Sequence, residues 1–200
     1  FFLYLDKELP PHWPDLSEDQ WQNLTLSTTK LKSLEKLKNI KSTIEAVDPD
    51  VMILSEVGGK ESLDNYNKFF LEDKFHVQLI EGNSDRGIDI GYLIKKDLDL
   101  NFLLISHKER PLHFLYDHER DSQKKSHYFS RDVAELRLFN NSSSHSPQLI
   151  ILGVHLKSKL DPDGVDPDGR NRRAAEVKTL IDIYGEVDQE TMSKIPILLI

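Results

Sequence analysis

Apolar residues along the chain keep two rhythms, one of three- and four-residue steps and one of alternation. Leu31, Leu34, Leu37, Ile40, Ile44 and Val47 keep the first and predict an amphipathic helix from about Lys30. Asp48-Pro49-Asp50 ends it, because the residue before a proline is pushed out of the helical region. VMILS (51–55) then reads as a short buried strand that delivers Glu56 to its carboxyl end, ahead of a Gly58-Gly59 loop. A second helix is predicted from about Glu61 to Leu71, with Leu63, Tyr66 and Phe70 on one side. The rhythm then changes to strands: FHVQLI (75–80), IDIGYLI (88–94), LNFLLIS (100–106), RDVAELRLF (131–139) and QLIILGVH (148–155). In RDVAELRLF, Ala134, Leu136 and Leu138 face one way and Arg131, Val133, Glu135 and Arg137 the other, the pattern of a strand with one buried side. A last helix is predicted over about 171–184 from Ala174, Val177, Leu180, Ile181 and Tyr184, with Gly185 as its stop. PILLI (196–200) opens a further buried strand. FFLYL reads as the end of a strand, PPHWPDLSEDQW as an irregular loop, 107–130 as a polar, His-rich segment and NNSSSHS (140–146) as a turn. Helices that cross between buried strands, mixed with strands joined by turns, predict an α/β protein, a layered α/β sandwich with a mixed sheet.

Composition bounds this picture without changing it. At 200 residues the chain suits a single domain, and 38 % hydrophobic with 30 % charged residues is an ordinary globular profile. Apolar runs such as VMIL and LIILGV are far short of the roughly 18 residues a membrane span needs. There is no cysteine, which excludes disulfides and thiolate zinc sites and leaves the compartment open. A net charge of −8 argues against a grip on nucleic acid by bulk electrostatics, so a polyanionic substrate calls for a metal or a local basic cluster. Lys30, Lys32, Lys36, Lys38 and Lys41 are such a run, and their helical setting reads as a solvated face.

Chemistry has a few places to sit. Glu56 stands where open α/β sheets place ligand sites, its plain alternative being a solvated loop acid. His155 closes LIILGV, where a rigid strand end could hold a general acid or base or merely a hydrogen-bonded histidine. Arg131 in FSRDV suits phosphate contact or a structural ion pair equally well, and Arg86, Asp89 and Tyr92 in SDRGIDIGY are further candidates. Arg170, Arg172 and Arg173 open the last helix against its dipole, a conflict that a nearby anion would relieve. The repeat DPDGVDPDG (161–169) carries Asp161, Asp163, Asp166 and Asp168 at a spacing unlike a calcium loop and reads as two successive turns. A calcium-dependent surface module is the minor alternative there.

The succession DPDVMILSEVGG, RGIDIGYLIKK, SRDVAELRL, GVHLKSKL, GRNRRAAEV and PILLI resembles the endonuclease/exonuclease/phosphatase superfamily, of deoxyribonuclease-I-like fold, over nearly all of the chain from about Ile40. The resemblance implies a magnesium-dependent phosphoester hydrolase, a nuclease or phosphodiesterase, with manganese as an alternative ion. It makes Glu56 the metal ligand and sets His155 at the scissile phosphate. Arg131 and Asp89 are then further catalytic candidates, and Arg86 and Arg173 candidates for substrate phosphate. A nucleic acid or small phosphodiester is the implied partner of a monomeric protein. The family's strand asparagine, its G-D-x-N motif and its S-D-H motif are not in these residues, so the chain is expected to be one incomplete domain, cut at both ends, that hydrolyses nothing alone. The opening on Phe1 without Met fits that expectation, and leaves a leader segment open. The competing class is a catalytically inert binding or scaffold module of the same fold.

Overall fold

A computed structural model describes residues 4–24, 31–121, 123, 126–140, 146–160 and 164–200. The protein is of the α/β class, and the chain divides into two compact units, Phe1–Glu81 with Arg86–Leu98, and Gly82–Asp85 with Asp99–Ile200.

The first unit has helices α1 (Glu18–Gln22), α2 (Leu34–Val47) and α3 (Lys60–Phe70) and strands β1 (Val51–Val57), β2 (Phe75–Leu79) and β3 (Asp89–Lys95). The strands form an antiparallel sheet in the order β1-β3-β2. Helix α2 begins at Leu34, because Ser33 caps it by accepting a hydrogen bond from Lys36 N at 3.3 Å. Leu31 lies before the helix and is still buried, Val47 is exposed, and Lys30 lies outside the described residues. Leu63, Tyr66 and Phe70 of α3 are buried in one apolar cluster with Leu34, Leu37, Trp21 and Phe75. Gly91 of β3 admits α3 to the sheet, since a Cβ there would stand 2.5 Å from Leu63 Cδ2.

The stretch expected to be an irregular loop carries α1, and the signal was in its letters. Ser17 accepts from Gln20 N while Gln20 accepts from Ser17 N, a reciprocal capping box. Tyr4 to Pro10 form no strand, and Phe1 to Leu3 lie outside the described residues.

The second unit has strands β4 (Leu100–Ser106), β5 (Val133–Asn140), β6 (Leu149–Val154) and β7 (Ile197–Leu199) and helix α4 (Arg170–Glu190). The sheet runs β4-β5-β6-β7, antiparallel except for the parallel β6-β7 pair, so it is mixed as expected. Three expectations are corrected. Helix α4 runs through Gly185 to Glu190 and buries Leu180, Ile183 and Val187, leaving Val177, Tyr184 and Ile181 (61 %) exposed. Packing of the neighbouring row decides the face, and the glycine costs only about 1 kcal/mol inside a helix that is held by tertiary contacts. Strand β5 is buried on both sides over its first half: Val133 joins the apolar cluster, and Glu135 is 1 % exposed against His107 Nε2 at 2.8 Å and Arg137 Nε. Leu198 and Leu199 of β7, expected in a buried strand, are exposed. The turn expected at 140–146 falls mostly outside the described residues.

Candidate functional site

In the first unit β1 is irregular where it matters. Leu54 pairs with Gly91 and Val57 with Asp89, three steps on β1 against two on β3, so one extra residue bulges from β1. Glu56 sits in that bulge with φ +61°, a left-handed conformation that a residue with a Cβ adopts only under local constraint. The bulge turns the carboxylate out of the regular alternation of the strand. Asp89, opposite Val57, is buried, and Arg86 lies exposed in the turn that leads to it.

Tyr4 touches the turn that carries Arg86. Its hydroxyl donates to the Arg86 carbonyl at 2.6 Å. Burial raises its pKa above the ordinary phenol value, the Arg86 charge opposes that rise, and Asp89 and Glu56 add to it. The segment bearing Tyr4 is tied to α3 by Leu5 N donating to Ser62 Oγ at 2.9 Å and Asn65 Nδ2 donating to the Leu5 carbonyl at 2.8 Å. The charges of Glu56, Arg86 and Asp89, three of the expected site residues, all act on the Tyr4 hydroxyl, and Asp89 pairs opposite Val57, the neighbour of Glu56 in the chain. Tyr4, Ser62 and Asn65 were missed, because nothing local in FFLYL links it to a helix about sixty residues on. Tyr92 is buried in β3, between Ile53 and Gln78 of the flanking strands.

In the second unit His155 follows β6 directly, and the backbone of its loop is fixed by buried side chains. Arg131 is buried and donates to the Leu156 carbonyl at 2.8 Å. Arg173 donates to the Lys157 carbonyl at 2.9 Å and the Asp168 carbonyl at 3.1 Å. Glu176 is 0 % exposed and accepts from Ser130 N at 2.8 Å and from Lys157 N at 2.6 Å, so it ties the strand that brings Arg131 to the loop that carries His155. Its position in RRAAE on a helical face was the available signal. Asp132, 3 % exposed, accepts from His107 N at 2.9 Å, and burial pushes its carboxyl up to about 6 against opposing hydrogen bonds from Ser106 and His107.

A carboxylate of the protein stands at the start of α4, where the arginines oppose the helix dipole. Asp166, buried, accepts from Asn171 N at 2.9 Å and Arg172 N at 3.0 Å, satisfying two of the helix's orphan donors. Gly169, φ +59°, lets the helix start pass the loop, since a Cβ there would stand 2.4 Å from the Ser158 carbonyl oxygen. Asp161 and Asp163 lie outside the described residues, and Asp166 is committed to its helix. Among the described residues no group of three His, Asp or Glu side chains is arranged to hold a metal, and no helix is long and apolar enough to cross a membrane.

No family model and no curated protein matches the chain. Among solved structures, the human nocturnin catalytic domain with bound sulfate anion matches with a TM-score of 0.56 and 16 % identity, over 84 % of this chain and 56 % of that one. A truncated Caenorhabditis elegans TDP2 matches with a TM-score of 0.47 and 18 % identity, over 78 % of this chain and 50 % of that one. The chain thus spans about half the length of these structures. The resemblance carried by the motifs is met at the level of architecture: the chain has a deoxyribonuclease-I-like fold.

Proposed function

We propose that this chain carries part of the catalytic machinery of a magnesium-dependent phosphoester hydrolase of the endonuclease/exonuclease/phosphatase type. The observation that supports it most is Glu56, set with a left-handed backbone in a bulge of β1, one residue before the Val57–Asp89 pair. The nocturnin domain of the same fold holds a sulfate, a tetrahedral anion that mimics a phosphoryl group.

Magnesium is commonly bound through one or two carboxylates and several waters, so a site with few protein ligands suits it, and Glu56 would hold the ion, magnesium or manganese. The bound ion supplies Lewis-acid polarisation of a phosphoryl oxygen. Asp89, buried at the start of β3, sets its charge near the Tyr4 hydroxyl. Arg86, exposed in its turn, would attract substrate phosphate. The motif resemblance gives His155 a phosphate-facing role, and within the second unit Arg131 and Arg173 hold its loop through the carbonyls of Leu156 and Lys157. The 200 residues hold no G-D-x-N or S-D-H run, so turnover is expected of a longer protein that has them and not of these residues alone.

The test is full-length protein against plasmid DNA, RNA and a generic phosphodiester, with and without magnesium. Turnover should require the metal and fall at least a hundredfold in Glu56→Gln, with manganese affinity, read by electron paramagnetic resonance, falling in parallel. Metal binding and turnover unchanged in Glu56→Gln would refute the reading. Absence of turnover on every substrate would leave the inert binding module.

A further inference from the structure

The second unit has an open groove of about 1190 Å³ between residues 112–120 and the first turns of α4. Strand β5 runs antiparallel to β6, with Val133 opposite Val154, so the segment 107–130 enters the sheet at the end where β6 delivers His155. The groove therefore belongs to the same end of this unit's sheet as that histidine.

One wall is a row of rings. Phe114 and Tyr116 lead into a short 3-10 turn, Asp117–Glu119, which carries His118. The Phe114 and Tyr116 centroids are 5.0 Å apart, and those of Tyr116 and His118 are 5.8 Å apart with the rings within 8° of parallel. Phe114 packs against the apolar cluster and anchors the inner end, while His118 is exposed at the outer end. Behind the row the His127 ring meets Tyr116 at 5.1 Å and bonds Glu119 at 2.6 Å, which braces the platform. The cations are Arg120 and Lys178, both exposed, and Asp117 is the one acid among the described lining residues. Arg120 pairs with that Asp117 at 2.7 Å, but an exposed pair is worth about 0–1 kcal/mol and yields readily to a phosphate.

We infer that this groove binds single-stranded nucleic acid, with bases against Tyr116 and His118 and phosphates at Arg120 and Lys178. The inference rests on the phosphoester hydrolase reading and names its substrate class. The groove is larger than the roughly 300–1,000 Å³ of small-molecule pockets and open, which suits a polymer. A net charge of −8 gives duplex DNA little bulk attraction, whereas stacking on aromatic side chains is worth about 1–3 kcal/mol per base and needs unpaired bases.

Fluorescence anisotropy of full-length protein in EDTA, with labelled twelve-nucleotide oligothymidylate and a twelve-base-pair duplex as probes, tests this apart from catalysis. The single strand should bind at least tenfold tighter than the duplex. Tyr116→Ala and Lys178→Glu should each weaken it about tenfold, which is about 1.4 kcal/mol, while Tyr116→Phe retains binding. Lys178 is on the exposed face of α4, so its variant folds even if Tyr116→Ala does not. Equal binding of the duplex, or full affinity in Lys178→Glu and Tyr116→Ala, overturns the inference. Hydrolysis of a generic phosphodiester without oligothymidylate binding overturns the groove alone, and groove-dependent binding without any hydrolysis supports the groove while sinking the hydrolase reading.

Discussion

Glu176→Gln keeps the size of a side chain that has no exposed surface and removes its charge. In the protein one carboxylate oxygen accepts from Ser130 N at 2.8 Å and the other from Lys157 N at 2.6 Å. A glutamine offers one carbonyl oxygen and one amide, so one of the two backbone donors meets another donor. A hydrogen bond to a charged group contributes about 1.5–3 kcal/mol, and a buried donor left unsatisfied costs about 1–3 kcal/mol. The expected loss of stability is about 2–3 kcal/mol for Gln, and roughly 3–6 kcal/mol for Glu176→Ala, which strands both donors and opens a cavity. Urea denaturation reads the total as a lower midpoint at unchanged slope. Amide hydrogen exchange reads its location: Ser130 and Lys157 should lose protection before the amides of β5 and β6. A loss below about 0.5 kcal/mol, or unchanged exchange at both amides, would show that this carboxylate does not tie the His155 loop to α4.

Gly169→Ala places a Cβ against the Ser158 carbonyl at a left-handed φ and should destabilise by about 1–3 kcal/mol, read as a lower melting temperature; an unchanged value would mean that the helix start and loop adjust freely. Asp132 gives a pH dependence with a definite sign. Its folded pKa of about 6 lies above the ordinary 3.8, so the folded state holds the proton more tightly. Its contribution is therefore fully favourable below about pH 4 and is lost as pH rises through about 6, by about 3 kcal/mol in all. In Asp132→Asn the difference between stabilities at pH 4 and pH 7 should rise toward pH 7 relative to wild type, and parallel pH profiles for the two proteins would contradict the assignment.

The helices α2 and α3 were legible because their apolar residues recur at helical spacing and end at punctuation that any chain obeys, Pro49 after one and Gly58-Gly59 before the other. The strands were legible from alternation and short apolar runs, and Glu56 and His155 from standing where such strands end. Periodicity is a local property, set by backbone geometry within a few residues, and it survives folding wherever tertiary contacts agree with it. It failed where they did not. The row Val177, Ile181, Tyr184 and the row Leu180, Ile183, Val187 are neighbours on one helix, and only contact with Val133, Ile150 and Leu152 selects the second. Gly185 was a stop signal in the letters and a tolerated interior residue in the packed helix.

By itself, the sequence determined most of the segments that become helices and strands, the α/β class and the motif residues worth watching. Only the tertiary structure decided their employment. The turned-out Glu56 depends on a pairing slip against Asp89, the tie between Ser130 and Lys157 on a glutamate from a helix that begins thirteen residues after the second, and the capping of the arginine-rich helix start on Asp166. These are contacts between residues distant along the chain or across a turn, and their energies arise from burial and hydrogen bonding that exist only once the backbone has brought the partners together.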